Sequence, residues 1–208
     1  MLPKRFHLKP SSFLALNSAG PNYNPSILGL SLDAFAFTKA SEPCEAFMAY
    51  AKLSANDVLS DALRLEMDKV RDLELKPGVL PVLGKLHEKV EAAGKVRVFA
   101  ITDGWTQSLL SGLHDAIFEV LKFIPQDGTW DQAAPLRRLQ DSPEARWSFD
   151  LTAATDRLPL ALQVQVLGCL TSDELAQSWA SLLVSRDWYH KGVPLRYAVG
   201  QPMGALSS

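Results

Sequence analysis

Two carboxylates stand six positions apart, Asp150 and Asp156, in Ser148-Phe149-Asp150-Leu151-Thr152-Ala153-Ala154-Thr155-Asp156. A carboxylate at the end of a strand is a hard-oxygen donor of the kind that holds a divalent cation for phosphate chemistry, with the substrate's phosphates completing the shell. Arg146-Trp147-Ser148-Phe149 alternates side-chain types at period 2 and predicts a strand that delivers Asp150. The small residues Thr152 to Thr155 then predict a tight turn. The spacing alone is not specific: two ordinary loop aspartates, one of them opening the helix after Leu158-Pro159, fit it as well. Lys95 and Arg97 fall on one face of a second expected strand, Lys95 to Ile101, where they point two cations at a groove or line a solvated strand edge. Gly200, Gly204, Ala205, Ser207 and Ser208 form a glycine-punctuated loop, either a simple turn or a backbone able to approach a ligand closely, with Gln201 and Ser207 as hydrogen-bonding side chains. Arg146 and Arg157 flank the carboxylates as expected salt-bridge partners. His7, His87, His114 and His190 show no metal-ligand spacing, and of the aromatics only Trp188 and Tyr189 stand where a nucleic acid could touch them.

Read together, these blocks resemble viral RNA-directed RNA polymerases, those of mitoviruses in particular. FDLTAATDRLP, within Ser148 to Pro159, resembles motif A; Gly94 to Ile101 resembles motif F; Tyr197 to Ser208 resembles the opening of motif B. The three occur in the family's order, and the intervening chain, including Ser18-Ala19-Gly20-Pro21-Asn22, has the same look, so the resemblance covers most of the chain. It implies an α+β fold: a partial right-hand polymerase with a helix-rich fingers-like region over residues 1–144 and a partial palm over 145–208. It implies RNA-templated nucleotidyl transfer by two metal ions, Mg2+ or Mn2+, in the intact family. Asp150 would be the catalytic metal ligand, Asp156 the reader of the ribose hydroxyl, Lys95 and Arg97 the partners of the incoming triphosphate, and Gly204 and Ser207 parts of the nucleotide-binding loop. RNA template and nucleoside triphosphates are the implied partners, and mitochondria the implied location.

The sequence contains no Gly-Asp-Asp, the turn with which the family's motif C supplies its remaining carboxylates. It stops inside motif B, so the later palm motifs and the thumb are expected to be absent and the chain to look like a truncated reading frame, from a viral gene or from a mitovirus-derived sequence in a plant mitochondrial genome. Two functions follow as expectations: a polymerase fragment inactive alone that works only with a missing polymerase half in trans, or a non-catalytic remnant serving as an RNA-binding or interaction module.

Composition bounds these readings. The 208 residues are 47% apolar and 21% charged with a formal net charge of −2, enough for one sizeable core but no basis for nucleic-acid binding by bulk charge. Cys44 and Cys169 lack a disulfide or zinc pattern, and no run approaches the roughly 18 apolar residues of a membrane span. Residues 1–32 carry Lys4, Arg5 and Lys9 and no acidic residue, as a mitochondrial targeting segment would, but Pro3, Pro10 and Pro21 interrupt any amphipathic helix there, so ordinary chain is expected.

The elements that must position these residues follow from periodicity. Residues 1–40 read as loop with one short strand. Helices are expected from Glu42, with Phe47 and Tyr50 inward, and from Asp57 to Leu73. Another opens at Pro81, with Leu83, Leu86 and Val90 inward and Gly94 as its left-handed stop. A further helix runs from Trp105 to Lys122 on Leu109, Leu110, Leu113 and Ile117. Capping boxes at Thr129/Gln132 and Thr171/Glu174 open two more, and Pro159 opens one ending near Leu170. His190-Lys191-Gly192 is expected to join two strands of a hairpin.

Overall fold

The strongest apolar stripes in the sequence become the core helices of the computed structural model, which describes residues 8–140 and 144–207. The expected roles of Ser208, His7 and the basic residues before Leu8 lie outside the described residues. Helices α1 (Leu30–Thr38), α2 (Ser41–Leu53) and α3 (Asp57–Val70) precede a hairpin of β1 (Gly84–Val90) and β2 (Val96–Thr102). Then come α4 (Gly104–Leu121), α5 (Ala134–Gln140), the single turn α6 (Ala154–Arg157), α7 (Leu160–Leu170), α8 (Asp173–Val184), β3 (Trp188–His190) and β4 (Val193–Leu195). Phe47 and Tyr50 of α2, Leu109, Leu110 and Leu113 of α4, and Trp179, Leu182 and Leu183 of α8 meet in one core, as their spacing requires. The four strands make one small mixed sheet in the order β2-β1-β3-β4, antiparallel except where β1 and β3 run parallel through Lys85 and Tyr189. The fold is α+β, and its sheet takes two strands from before residue 145 and two from after it.

Four expectations are corrected. Residues 30–38 are helix, not loop, because Ala34, Ala36 and Phe37 bury against the core. Residues 84–90 are a strand, not the helix expected from Pro81. The chain there pairs along the whole length of β2, Gly84 with Thr102 through Val90 with Val96, which leaves Val90, expected inward, 73% exposed, and the positive φ of Gly94 serves the hairpin connection. The first capping box does not form: Thr129 bonds back to Asp127, Asp131 accepts the Ala133 amide, and α5 starts only at Ala134. At α8 the cap is Ser172, whose hydroxyl accepts the Leu175 amide, one residue beyond the Thr171 expected.

Two buried polar clusters tie helices to sheet. Asp103 caps α4 by accepting the Thr106 amide at 2.8 Å and is fully buried. Its other oxygen receives Arg186 at 2.5 Å, a guanidinium only 1% exposed that also donates to Thr106 Oγ1 and to the Leu83 and Leu182 carbonyls. Beside it, Asn22 holds both backbone groups of Val82 with its amide and donates to Asp33, whose second oxygen accepts the Gly104 amide.

Burial, with the Asp103 carboxylate beside it, pushes the Asp33 carboxyl up to about 7. The sign follows: between about pH 4 and pH 7 the folded chain holds a proton that the unfolded chain has released, so stability is greatest at the acid end and falls as pH rises through the window. The expected loss is on the order of 2 kcal/mol between pH 5 and pH 8. Urea unfolding at both pH values checks this. Asp33→Asn should flatten the difference, and equal pH dependence in the two proteins would refute the assignment.

Candidate functional site

The loop Gly200–Ser207 is the hub that joins the regions singled out by sequence. Its Met203 carbonyl accepts the Ala100 amide of β2 at 2.7 Å, continuing the sheet's hydrogen bonding at its outer edge. Gln107 of α4 clamps the loop, donating to the Gly204 carbonyl at 2.8 Å and accepting the Leu206 amide at 2.9 Å. Gly204 sits at φ +127°, and a Cβ there would lie 2.3 Å from the Ala100 oxygen, so no other residue fits without displacing the loop. Gly204→Ala is accordingly expected to cost about 1–3 kcal/mol of local stability. Hydrogen exchange reads it: the Ala100 amide should lose protection, and unchanged protection would show that the loop tolerates the methyl group.

At its other end the loop grips the turn that carries Asp156. The Gln201 backbone N–H donates to the Thr155 carbonyl at 3.2 Å, and the Val199 carbonyl accepts the Leu160 amide at 2.8 Å. A Cβ on Gly200 would stand 2.4 Å from Thr155 O and 2.5 Å from Asp156 O, so the close approach needs glycine. The turn begins at Ala153, φ +51°, and closes as α6 before Pro159. The Tyr197 hydroxyl bonds the half-buried Asp156, and its ring stacks edge-on against the buried Trp188 at 5.8 Å. Burial, reinforced by the Asp156 charge, holds the Tyr197 phenol well above its usual range. Tyr197 thus holds Asp156 in place, and nothing in its sequence context sets it apart from its neighbours.

Asp150 is placed differently from expectation. Residues 145–150 are irregular, not a strand, and Asp150 is exposed. The alternation from Arg146 to Phe149 is there, but no described strand lies alongside to accept its backbone, and alternation without a partner does not make a strand. Asp150 therefore lies in an exposed segment, six residues before the carboxylate that Tyr197 holds. Among the described residues no group of three or more His, Cys, Asp or Glu side chains converges as a metal site.

Lys95 immediately precedes β2 and is exposed, and Arg97 pairs with Glu91 at 2.8 Å. Arg97 stands opposite Lys89 of β1, so the hairpin tip gathers three cations on one side with Glu91 among them. Lys89 is missed when residues 81–94 are read as helix; the strand register finds it. Ser207 is buried, its hydroxyl accepting Trp179 Nε1 at 2.8 Å, and Gln201 is buried against Gln163 at 2.6 Å. One loop thus carries Gly204 against β2, Ser207 against Trp179 and Gly200 against the Asp156 turn, while Lys95 and Arg97 lie toward the hairpin tip. No ion pair involves Arg157 among the described residues, and Arg146 donates to the Gln140 carbonyl. No helix among the described residues is long and apolar enough to cross a membrane.

Comparisons with known proteins bear on this arrangement. The family model described as Mitovirus RNA-dependent RNA polymerase matches residues 6–208. The RNA-directed RNA polymerase of Cryphonectria parasitica mitovirus 1 is 38% identical over 204 residues, covering 91% of this chain and 25% of the viral protein. An uncharacterized mitochondrial protein of Arabidopsis thaliana is 35% identical over 100 residues, 43% of this chain and 38% of that protein; another is 44% identical over 55 residues, 26% of each. The chain thus spans about a quarter of the viral polymerase that it matches. No solved structure matches it.

Proposed function

Because the chain belongs to the mitovirus RNA-dependent RNA polymerase family, we propose that it forms the part of such a polymerase that steers and reads the incoming nucleotide. In this reading Lys95 and Arg97 draw the triphosphate to the hairpin tip, Asp156 accepts the ribose hydroxyl, the Gly204 loop lies under the nucleotide with Ser207 anchoring it, and Asp150 is a metal donor. Residues 1–144 then correspond to a fingers-like region and 145–208 to part of the palm, and the host compartment is the mitochondrion, as for the Arabidopsis relatives. The observation that carries the reading is the double attachment of the loop, to β2 through Met203 and to the Asp156 turn through Gln201, because it couples all three motif-like blocks in one unit.

This chain's own residues do the following. The Lys95 ammonium and Arg97 guanidinium neutralise phosphate charge, the guanidinium exchanging Glu91 for the ligand. Tyr197 donates to one oxygen of Asp156 and so fixes where the other can accept a hydroxyl. A divalent metal, when bound in the intact polymerase, stabilises charge on the reacting phosphate. The described residues do not by themselves fit such an ion, since a hard cation takes six or more oxygen ligands and Asp150 is one exposed donor. The 208 residues alone are therefore expected to bind without polymerising.

Photo-crosslinking with a labelled azido-nucleoside triphosphate tests the assignment. Labelling should be weak and salt-sensitive, and Lys95→Ala with Arg97→Ala should lower it several-fold. Equal labelling in the double variant would remove these cations from the proposed site. RNA affinity should likewise be weak, fall with salt and show no sequence preference, because the candidate contacts include no array that reads base edges.

A further inference from the structure

Residues 145–151 expose three large apolar side chains at every second position: Trp147 is 81% exposed, Phe149 87% and Leu151 74%. Ser148 and Asp150 between them, and Arg146 just before, are polar and exposed as well. The segment pairs with no described strand. It has the alternation of a strand and none of its neighbours, so an added strand would satisfy backbone and side chains together.

We infer that this segment docks on a second copy of itself, as an antiparallel two-stranded ribbon centred on Ser148. Its sequence is complementary to its own reverse. With the two-fold axis at Ser148, Arg146 of each copy faces Asp150 of the other, Trp147 faces Phe149, and Ala145 faces Leu151. Every cross-strand pair is then favourable: two ion pairs on one face, two aromatic pairs on the opposite face. A shift of register by two residues breaks the ion pairs and places Arg146 opposite Ser148. The contact is isologous and closes at two copies, as a two-fold axis requires. Arg146, which donates to the Gln140 carbonyl among its contacts, meets the partner copy's Asp150 in this register. The three apolar side chains offer roughly 500 Å² per copy. That is at the lower limit of a specific interface, so the dimer is weak and concentration-dependent. Pairing also covers Asp150, so a paired copy withholds that carboxylate from any ligand.

Charge reversal tests the register. Sedimentation equilibrium of the whole chain should show a monomer–dimer equilibrium. Arg146→Asp and Asp150→Arg, each placing two like-charge pairs across the axis, should each raise the dissociation constant about tenfold or more. The double variant carrying both substitutions restores opposite charges and should return the dissociation constant to near its original value. In a background with Cys44→Ser and Cys169→Ser, Ser148→Cys should cross-link on mild oxidation, since directly opposed residues lie within disulfide reach. Ala145→Cys, displaced from the axis, should cross-link far less. All six substituted positions are exposed or half-exposed, so the variants should fold, and far-UV circular dichroism verifies it. A chain that stays monomeric at 100 μM or above, a double variant no better than the single reversals, or a monomer whose Trp147 is instead quenched by single-stranded RNA would overturn the proposal; the concentration named is about the upper end of weak specific association.

Discussion

Arg186→Ala is expected to destabilise the chain by about 3–5 kcal/mol, a large fraction of what holds a domain of this size together. The reason is the Asp103 carboxylate left behind. It is fully buried, and Arg186 is the cation within ion-pair distance. Removing the guanidinium also strips a donor from Thr106 Oγ1 and from the Leu83 and Leu182 carbonyls. Those groups belong to the start of α4, the approach to β1 and the end of α8, so the loss is felt in helix and sheet alike. Arg186 also lowers the Asp33 carboxyl, so its removal drives that neighbour further toward its protonated form and leaves the Asp103 charge without a counter-charge. Urea unfolding followed by far-UV circular dichroism measures the effect. Asp103→Asn combined with Arg186→Met keeps a capping side chain for α4 while removing both charges, and should recover much of the loss. A single-variant loss below about 1 kcal/mol would mean that the pair is hydrated rather than buried.

The second large effect concerns Asp150. In a chimera where this chain replaces the matching quarter of the Cryphonectria mitovirus polymerase, Asp150→Ala should cut RNA synthesis by about 10^2–10^3-fold or more. The same substitution should leave the stability of the isolated chain within about 0.5 kcal/mol, because Asp150 is exposed. That contrast separates a chemical role from a structural one. The isolated 208 residues, given primer, template and magnesium or manganese, should show no template-dependent incorporation with either residue at 150. Incorporation by the isolated chain that disappears in Asp150→Ala would sink the expectation of inactivity, and a fully active Asp150→Ala chimera would sink the catalytic assignment.

The elements legible in the sequence were those whose folding is decided locally. The stripe Leu109, Leu110 and Leu113, and the set Leu175, Trp179, Leu182 and Leu183, need only a helix and a core to face. The Lys191-Gly192 pair, both at positive φ, marks the turn between β3 and β4 without help from elsewhere. What stayed hidden depends on partners distant in sequence. Leu83, Leu86 and Val90 fit helical spacing, and only the register with β2 makes residues 84–90 a strand. Arg146 to Phe149 alternates as a strand should, and without a neighbour it is none. Arg186, two residues beyond an apolar helix, looks like an ordinary surface cation until Asp103 is brought to it through the fold. In the candidate site the glycines at 200 and 204 were legible by type. The role of Tyr197 was not, since its bond to Asp156 crosses from the end of the chain to the motif A turn.

The contact between Arg186 and Leu83 spans 103 residues, and the parallel pairing of β1 with β3 spans a similar distance. A ribosome working at roughly 5–20 residues per second has finished β1 for some 5–20 s before β3 leaves it. Throughout that interval one edge of β1 has no strand beside it, and the Asp103 carboxylate waits without its cation. The chain is thus most exposed to chaperones and proteases midway through its synthesis, and contacts of such long range set a slow final step in folding. Slowing translation between residues 103 and 186 should lengthen that interval and lower the yield of folded chain.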